Sequence, residues 1–233
     1  MSGPPHQVVQ RSVVFDTETT GLDPLTGHRV IEVACIELIR DLPSGRTYHA
    51  LIDPERDVPE DSTRIHGITR AHLAGKPRFA EIADALLAFL GDAPLIAHNA
   101  PFDFGFIDAE LMRIGQAGLD RARMIDTAAM ARLRFPGLPN SLDALCRRYG
   151  IDLSERTSHN ALLDCRLLAQ VYVELTGGRQ RGLLLAEDGA EGLPGITYAA
   201  AGPRTPRLVQ PDQEALERHA AFLTRLKDPV WTQ

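Results

Sequence analysis

Asp16 and Glu18 stand two residues apart at the end of the apolar run Val13-Val-Phe15, a spacing that puts both carboxylates on one face of a strand. Thr19-Thr-Gly21 follows, a turn sequence that presents backbone groups to a ligand where the strand stops. Asp103, after His98-Asn-Ala-Pro-Phe, falls in the first turn of a helix, and Asp164 opens another helix shortly after His159. Each has an ordinary reading: a solvated strand end, two partners for helix dipoles, a surface histidine. Brought to one place, four carboxylates and an imidazole have a different chemistry. Hard oxygen ligands suit Mg²⁺ or Mn²⁺ and not zinc. Two such ions clamp a phosphodiester in line, and an imidazole accepts a proton from water near neutral pH.

Such a site needs a sheet edge. Arg11–Asp16 reads as a buried strand, Val30–Ile39 as a second, and Arg46–Ile52 as a third, with connections short enough for an antiparallel meander. Phe79, Ile82, Ala83, Leu86, Leu87 and Leu90 recur at helical spacing and stop at Gly91. Pro94–Ala97 is a short strand, a helix starts around Pro101, and Met124–Asp126 is a fifth strand. Asn140 or Ser141 caps a helix to Tyr149, and Leu163, Leu167, Leu168 and Val171 share one face of a helix over 160–175. Three antiparallel strands followed by alternating helices and strands predict an α/β fold around a mixed sheet.

The chain has 233 residues, 44 % hydrophobic and 24 % charged, which suits a folded domain with a sizeable core. No apolar run approaches the roughly 18 residues of a membrane span, and residues 1–10 lack the pattern of a secretory signal. Cys35, Cys146 and Cys165 are widely spaced and odd in number, which argues against a disulfide framework or a zinc knuckle, and a cytoplasmic location is expected. The net charge of −6 argues against a simple DNA-binding module but not against an enzyme that meets phosphates through metal ions. Residues 179–209 read as a flexible linker rich in Gly, Ala, Pro and Arg. A last helix within 210–233 starts at Pro211 and carries the stripe Leu216, Ala220, Leu223 and Leu226, with Trp231 just beyond.

Phe15-Asp-Thr-Glu-Thr-Thr-Gly21, His98-Asn-Ala-Pro-Phe-Asp103 and His159-Asn-Ala-Leu-Leu-Asp164 resemble the three motifs of the DEDDh 3′→5′ exonucleases. His66-Gly-Ile, Phe135-Pro-Gly, Asn140–Cys146 and Arg156 through Thr176-Gly-Gly178 resemble, more narrowly, the proofreading exonucleases of bacterial replicative polymerases. The resemblance covers residues 11–178 and implies a ribonuclease H-like fold, a mixed five-stranded sheet flanked by helices, and two Mg²⁺ or Mn²⁺ ions. It implies that Asp16, Glu18 and Asp164 ligate the metals directly, that Asp103 completes the set partly through water, and that His159 is the general base. His66 and the acidic position five residues earlier are implied to contact substrate, together with Asp16, Glu18, Asp164 and Thr19. That acidic position is Asp61 here, a shorter acid than the family leads one to expect. Leu22 resembles the apolar side chain that wedges near the terminal bases, with an ordinary buried leucine as the alternative.

The implied activity is removal of mismatched nucleotides from DNA 3′ ends as 5′-monophosphates. A free-standing exonuclease acting on RNA or DNA ends is the alternative, and a binding module on an inactive nuclease fold is a second. Every acidic motif position is filled, which speaks against the last. Gln180, Leu183 and Leu185 lie in a short stretch resembling peptides that bind the bacterial sliding clamp, with a mildly apolar linker as the bland reading. Leu216, Leu223, Leu226 and Trp231 lie where the family's polymerase-binding tail lies, and a helix laid in a partner's groove is a common recognition mode.

Overall fold

The computed structural model describes residues 10–156, 159–178 and 211–225. They fall into two compact units, the larger within Met1–Leu184 and the smaller within Leu185–Gln233. In the larger unit, β1 (Arg11–Thr19), β2 (Val30–Ile39), β3 (Leu42–Leu51), β4 (Leu95–Ala97) and β5 (Met124–Asp126) form one sheet in the order β3-β2-β1-β4-β5. β1 and β2 pair antiparallel, as do β2 and β3, whereas β4 runs parallel to both β1 and β5. The mixed five-stranded sheet flanked by helices is the architecture the motifs imply.

The residues account for this arrangement. β2 is buried along nearly its whole length, as its continuous apolar run requires of a strand covered on both faces. Alternation along β1 sends Val13 and Phe15 to one face, where they pack with α2 (Phe79–Leu90) and α3 (Ala100–Arg113). Val14 goes to the other, packed with α5 (Leu142–Tyr149) and α6 (Ala161–Leu175). Asp16 and Glu18 continue the Val14 face beyond the core, so the same alternation that buries the strand carries the carboxylates to its end.

Three differences from the sequence reading have local causes. β1 runs to Thr19, so Glu18 lies within the strand and opposite Glu32 of β2. β3 begins at Leu42 and not at Arg46, because β2 and β3 are joined by only Arg40 and Asp41, both at positive φ (52° and 65°). That is the backbone of a tight hairpin, made here without the usual Asn-Gly or Asp-Gly signature. The sequence reading also lacks α1 (Glu60–His66) and α4 (Thr127–Arg134), helices of 7 and 8 residues with too few turns to show a period.

In the smaller unit, α7 (Gln213–Leu223) is capped by Asp212, whose carboxylate accepts the Ala215 N–H at 2.7 Å. Leu216 and Phe222 are about half exposed, and no residue of α7 is buried. Of the loose N-terminal extension that the sequence suggests over 1–10, residues 1–9 lie outside the described residues, as do the linker 179–209 and Gln180, Leu183, Leu185, Leu226 and Trp231. Among the described residues no helix is long and apolar enough to cross a membrane.

Candidate active site

β1 brings Asp16 and Glu18 to the sheet edge, and α3 and α6 aim their first turns at the same place. Asn99 starts α3 from a left-handed conformation (φ 65°), which asparagine tolerates, and its N–H donates to Asp126 Oδ1 at 3.0 Å. Asp103, in the first turn that follows, accepts the Thr17 N–H at 3.0 Å and the Thr17 hydroxyl at 2.7 Å, so β1 holds its carboxylate directly. Asn160 caps α6, accepting the Leu163 N–H at 3.0 Å. The first free N–H of α6, from Ala161, donates to Glu32 Oε2 at 3.2 Å, and Glu32 Oε1 meets His49 Nε2 at 2.6 Å. A buried β2 carboxylate thus anchors the N-terminus of α6, where the helix dipole favours negative charge.

The result is a cavity of about 360 Å³ lined by Asp16, Glu18, Asp103, His159 and Asp164. Ligand atoms of Glu18, His159 and Asp164 all lie within 4.8 Å of one another. Asp16 and Asp103 share the cavity but stand outside that group of three. Burial raises the Asp16 carboxyl well above the usual range, and Asp103, Glu18, Asp164 and Glu32 raise it further. Glu18 is pushed up to about 8, first by burial and then by Glu32, Asp164 and Asp103. Asp103 is pushed up to about 7 by burial, against the pull of the two Thr17 hydrogen bonds. Asp164 goes the other way. Burial alone would raise it, but hydrogen bonds from Arg156 and His159 outweigh that and hold it below the ordinary value.

This donor set fits hard divalent cations. The carboxylates crowd one another too closely to be ionised together without positive charge between them, and no thiol lines the cavity.

His98, Phe102, Asp143 and Arg156 are among the lining residues to which the sequence assigns no role in the site. Arg156 grips Asp164 with its fork, Nε to Oδ1 at 2.6 Å and Nη2 to Oδ2 at 2.8 Å, and also donates to Asp143. Nη2 reaches His159 Nδ1 at 3.0 Å, while Asp164 Oδ2 stands 3.3 Å from the same nitrogen. Nδ1 therefore faces a donor and an acceptor and satisfies one at a time. His98 is fixed in the cavity wall. Its Nδ1 shares a hydrogen bond with Thr127 Oγ1 at 2.9 Å, and Thr127 Oγ1 also stands 3.2 Å from the Ala97 carbonyl. The signal for Arg156 was present in sequence as a cation three residues before His159, but its partners are set by the fold.

A second cavity of about 480 Å³ adjoins the first and shares Thr17, Glu18 and Phe102 with it. Thr19, Leu22, Asp61 and His66 line it, so all four remaining substrate candidates meet there. Leu22 is 82 % exposed, which sets aside the buried-leucine reading. Its loop is held by Arg29, whose N–H donates to Thr20 Oγ1 at 3.0 Å and whose guanidinium forks onto Glu110 at 2.7 and 2.8 Å. Gly21 is required there, because a Cβ would sit 2.3 Å from the His28 ring. His66 is buried. Its Nδ1 accepts the Ile68 N–H at 3.0 Å, which leaves the proton on Nε2, and Nε2 is buried near the Thr19 carbonyl without completing a hydrogen bond. An unsatisfied buried donor at a cavity wall is what an acceptor on a ligand would complete. Asp61 stays at the exposed rim, paired with Arg64. The His159 N–H donates to the Ile65 carbonyl at 3.2 Å, tying the His159 segment to α1 and joining the two cavities.

Residues 13–172 match the RNase T family, described as exonuclease. Over 222 residues the chain is 44 % identical to the DNA polymerase III subunit epsilon of Rickettsia felis, covering 93 % of this chain and 96 % of that one. Among solved structures, exonuclease X in complex with 5′ overhanging duplex DNA superposes with a TM-score of 0.56 at 26 % identity, covering 70 % of this chain and 90 % of that one. The nuclease domain of 3′hExo, a DEDDh family member bound to rAMP, gives 0.62 at 18 % identity, covering 72 % and 92 %, and shares the fold.

Proposed function

The chain belongs to the exonuclease family, alongside the DNA polymerase III epsilon subunits, and from that premise we propose that Asp16, Glu18, Asp103 and Asp164 hold its divalent metal and that His159 is its general base. The protein is a metal-dependent 3′→5′ exodeoxyribonuclease, the proofreading subunit of a DNA polymerase III. The observation that carries the site assignment is the approach of Glu18, His159 and Asp164 to within 4.8 Å on a cavity that Asp16 and Asp103 also line.

Two Mg²⁺ or Mn²⁺ ions held there would polarise the scissile phosphodiester and offset charge on the departing 3′ oxygen. Asp16, Glu18 and Asp164 would supply oxygens directly, and Asp103, pinned to Thr17, would complete the set partly through water. His159 accepts the proton of the attacking water; being half exposed, its ring has room to turn toward one. In the second cavity, His66 Nε2–H and Thr19 take the polar atoms of the terminal nucleotide, Leu22 packs against its base, and Asp61 sits at the entrance. Selection of errors needs no reading of the wrong base. Unpairing an end costs a few kcal/mol and costs least at a mismatch, so frayed ends reach the site more often.

In this reading residues 11–178 are the nuclease domain and the C-terminal segment docks on the polymerase, with Leu216 and Leu223 of α7, Leu226 and Trp231 as anchors. The support is that α7 offers half-exposed apolar side chains and that identity to an epsilon subunit over 93 % of the chain extends past the domain. A clamp contact through Gln180, Leu183 and Leu185 belongs to the same reading, as does a cytoplasmic place beside the chromosome.

His159→Gln tests the assignment. The rate falls by about 10²–10⁴-fold while Mn²⁺ still binds. An unchanged acidic limb of the pH–rate profile in the variant would remove His159 from the proton transfer.

A further inference from the structure

The site contains a cation of its own. The Arg156 side chain is only 10 % exposed, and its three nitrogens all point at groups on the 360 Å³ cavity. Nε and Nη2 take both oxygens of Asp164, Nη1 takes Asp143, and Nη2 also reaches His159. We propose that Arg156 is the internal counter-cation of the metal site: it occupies Asp164 until a divalent cation arrives, and Asp143 then retains it. The proposal rests on the reading of Asp164 as a metal ligand.

Three features support it. A bidentate guanidinium uses both carboxylate oxygens along the directions a metal ion would need, and like charges that close repel strongly where water is scarce. Arg156 has somewhere else to go. Asp143, in the first turn of α5, already accepts Nη1, so leaving Asp164 does not strand a buried charge. Asp143 is also the more exposed of the two carboxylates, at 35 % against 5 %, and stands beside Arg147 on the solvent side. A guanidinium held by Asp143 alone is thus drawn away from the ligand position. Loading the metal then also removes the Nη2 contact from His159 Nδ1, so one displacement clears a ligand and the base together.

The rival account is a static ion pair whose charges merely tune the site from where they stand. Mn²⁺ binding to the full chain without nucleic acid, read by calorimetry and by the electron paramagnetic resonance of free Mn²⁺, separates the two. Arg156→Gln tightens Mn²⁺ by about tenfold, roughly the worth of a charge-assisted hydrogen bond. Arg156→Lys keeps the charge and loses the fork, and it too binds more tightly than the native chain. Asp143→Asn weakens Mn²⁺ by about threefold in the native background and has no effect in Arg156→Gln, because its action runs through the arginine. Unchanged or weaker binding in both Arg156 variants overturns the proposal. So does an Asp143→Asn effect of the same size in both backgrounds, the pattern of independent charges. Asp164→Asn is the control. If it weakens Mn²⁺ binding and the Arg156 variants do not tighten it, only the counter-cation role falls. If it leaves binding unchanged, the ligand reading falls and takes the proposal with it.

Discussion

Glu18 and Glu32 face each other across β1 and β2, both buried, at a spacing where like charges oppose folding. The Glu18 carboxyl is pushed up to about 8 from an ordinary 4.5. Between those values the folded chain keeps a proton that the unfolded chain has lost. Metal-free stability therefore falls as pH rises through this window, and Glu18 works against the fold at neutral pH. Glu18→Gln removes that cost. In the presence of a chelator at pH 7.5 the variant is more stable than the native chain by on the order of 1–3 kcal/mol, and the gap closes toward pH 4.5. Thermal melts at both pH values check this, and a gap that does not change with pH would refute it. At this scale the sequence was informative because Asp16, Glu18, Asp103, His159 and Asp164 are set by motif spacing. The contacts of Arg156, Asp143 and His98 were not legible, because spacing alone does not say which side chains meet; Arg156 stands three residues before His159 and eight before Asp164, yet only the fold turns its fork onto them.

The N-terminus of α6 carries Asp164 in its first turn and His159 just before its cap. Asn160 satisfies one free N–H and Glu32 another, and the helix they start holds Asp164 in its first turn. Asn160→Ala costs about 1 kcal/mol of stability. It also lowers kcat by about tenfold, because His159 and Asp164 flank the cap and small misplacement of reacting groups is expensive. Calorimetry and single-turnover hydrolysis read the two effects, and full kcat in a destabilised variant would show that the cap does not position the site. Elements with strong local signals were legible in sequence. β2 and α2 have the bounds the pattern predicts, and α5 and α6 begin one residue after their caps. The start of β3 was hidden by an unsigned hairpin, and α1 was hidden because Pro59 opens seven mostly polar residues.

For the whole molecule, a net charge of −6 leaves little to hold DNA by phosphate contacts alone. With the carboxylates given to metal as proposed, a polymerase that keeps the primer end at high effective concentration would supply the grip. If the C-terminal segment docks on the polymerase as proposed, a chain ending at residue 209 hydrolyses short single strands within about twofold of the full chain, because the tail then adds effective concentration and no chemistry. It no longer co-elutes with the polymerase catalytic subunit in gel filtration, whereas the full chain does; equal co-elution of both would place the docking surface elsewhere. Hydrolysis at the acidic site is read by following the length of the 5′-labelled strand of a duplex with one 3′ mismatch, with chromatography identifying the released mononucleotides. The native chain in Mg²⁺ shortens the labelled strand stepwise from its 3′ end, releasing 5′-monophosphates, and a chelator stops it. Asp16→Ala, folded as judged by its melt, shows no shortening. Appreciable Mg²⁺-dependent shortening by that variant would contradict the account.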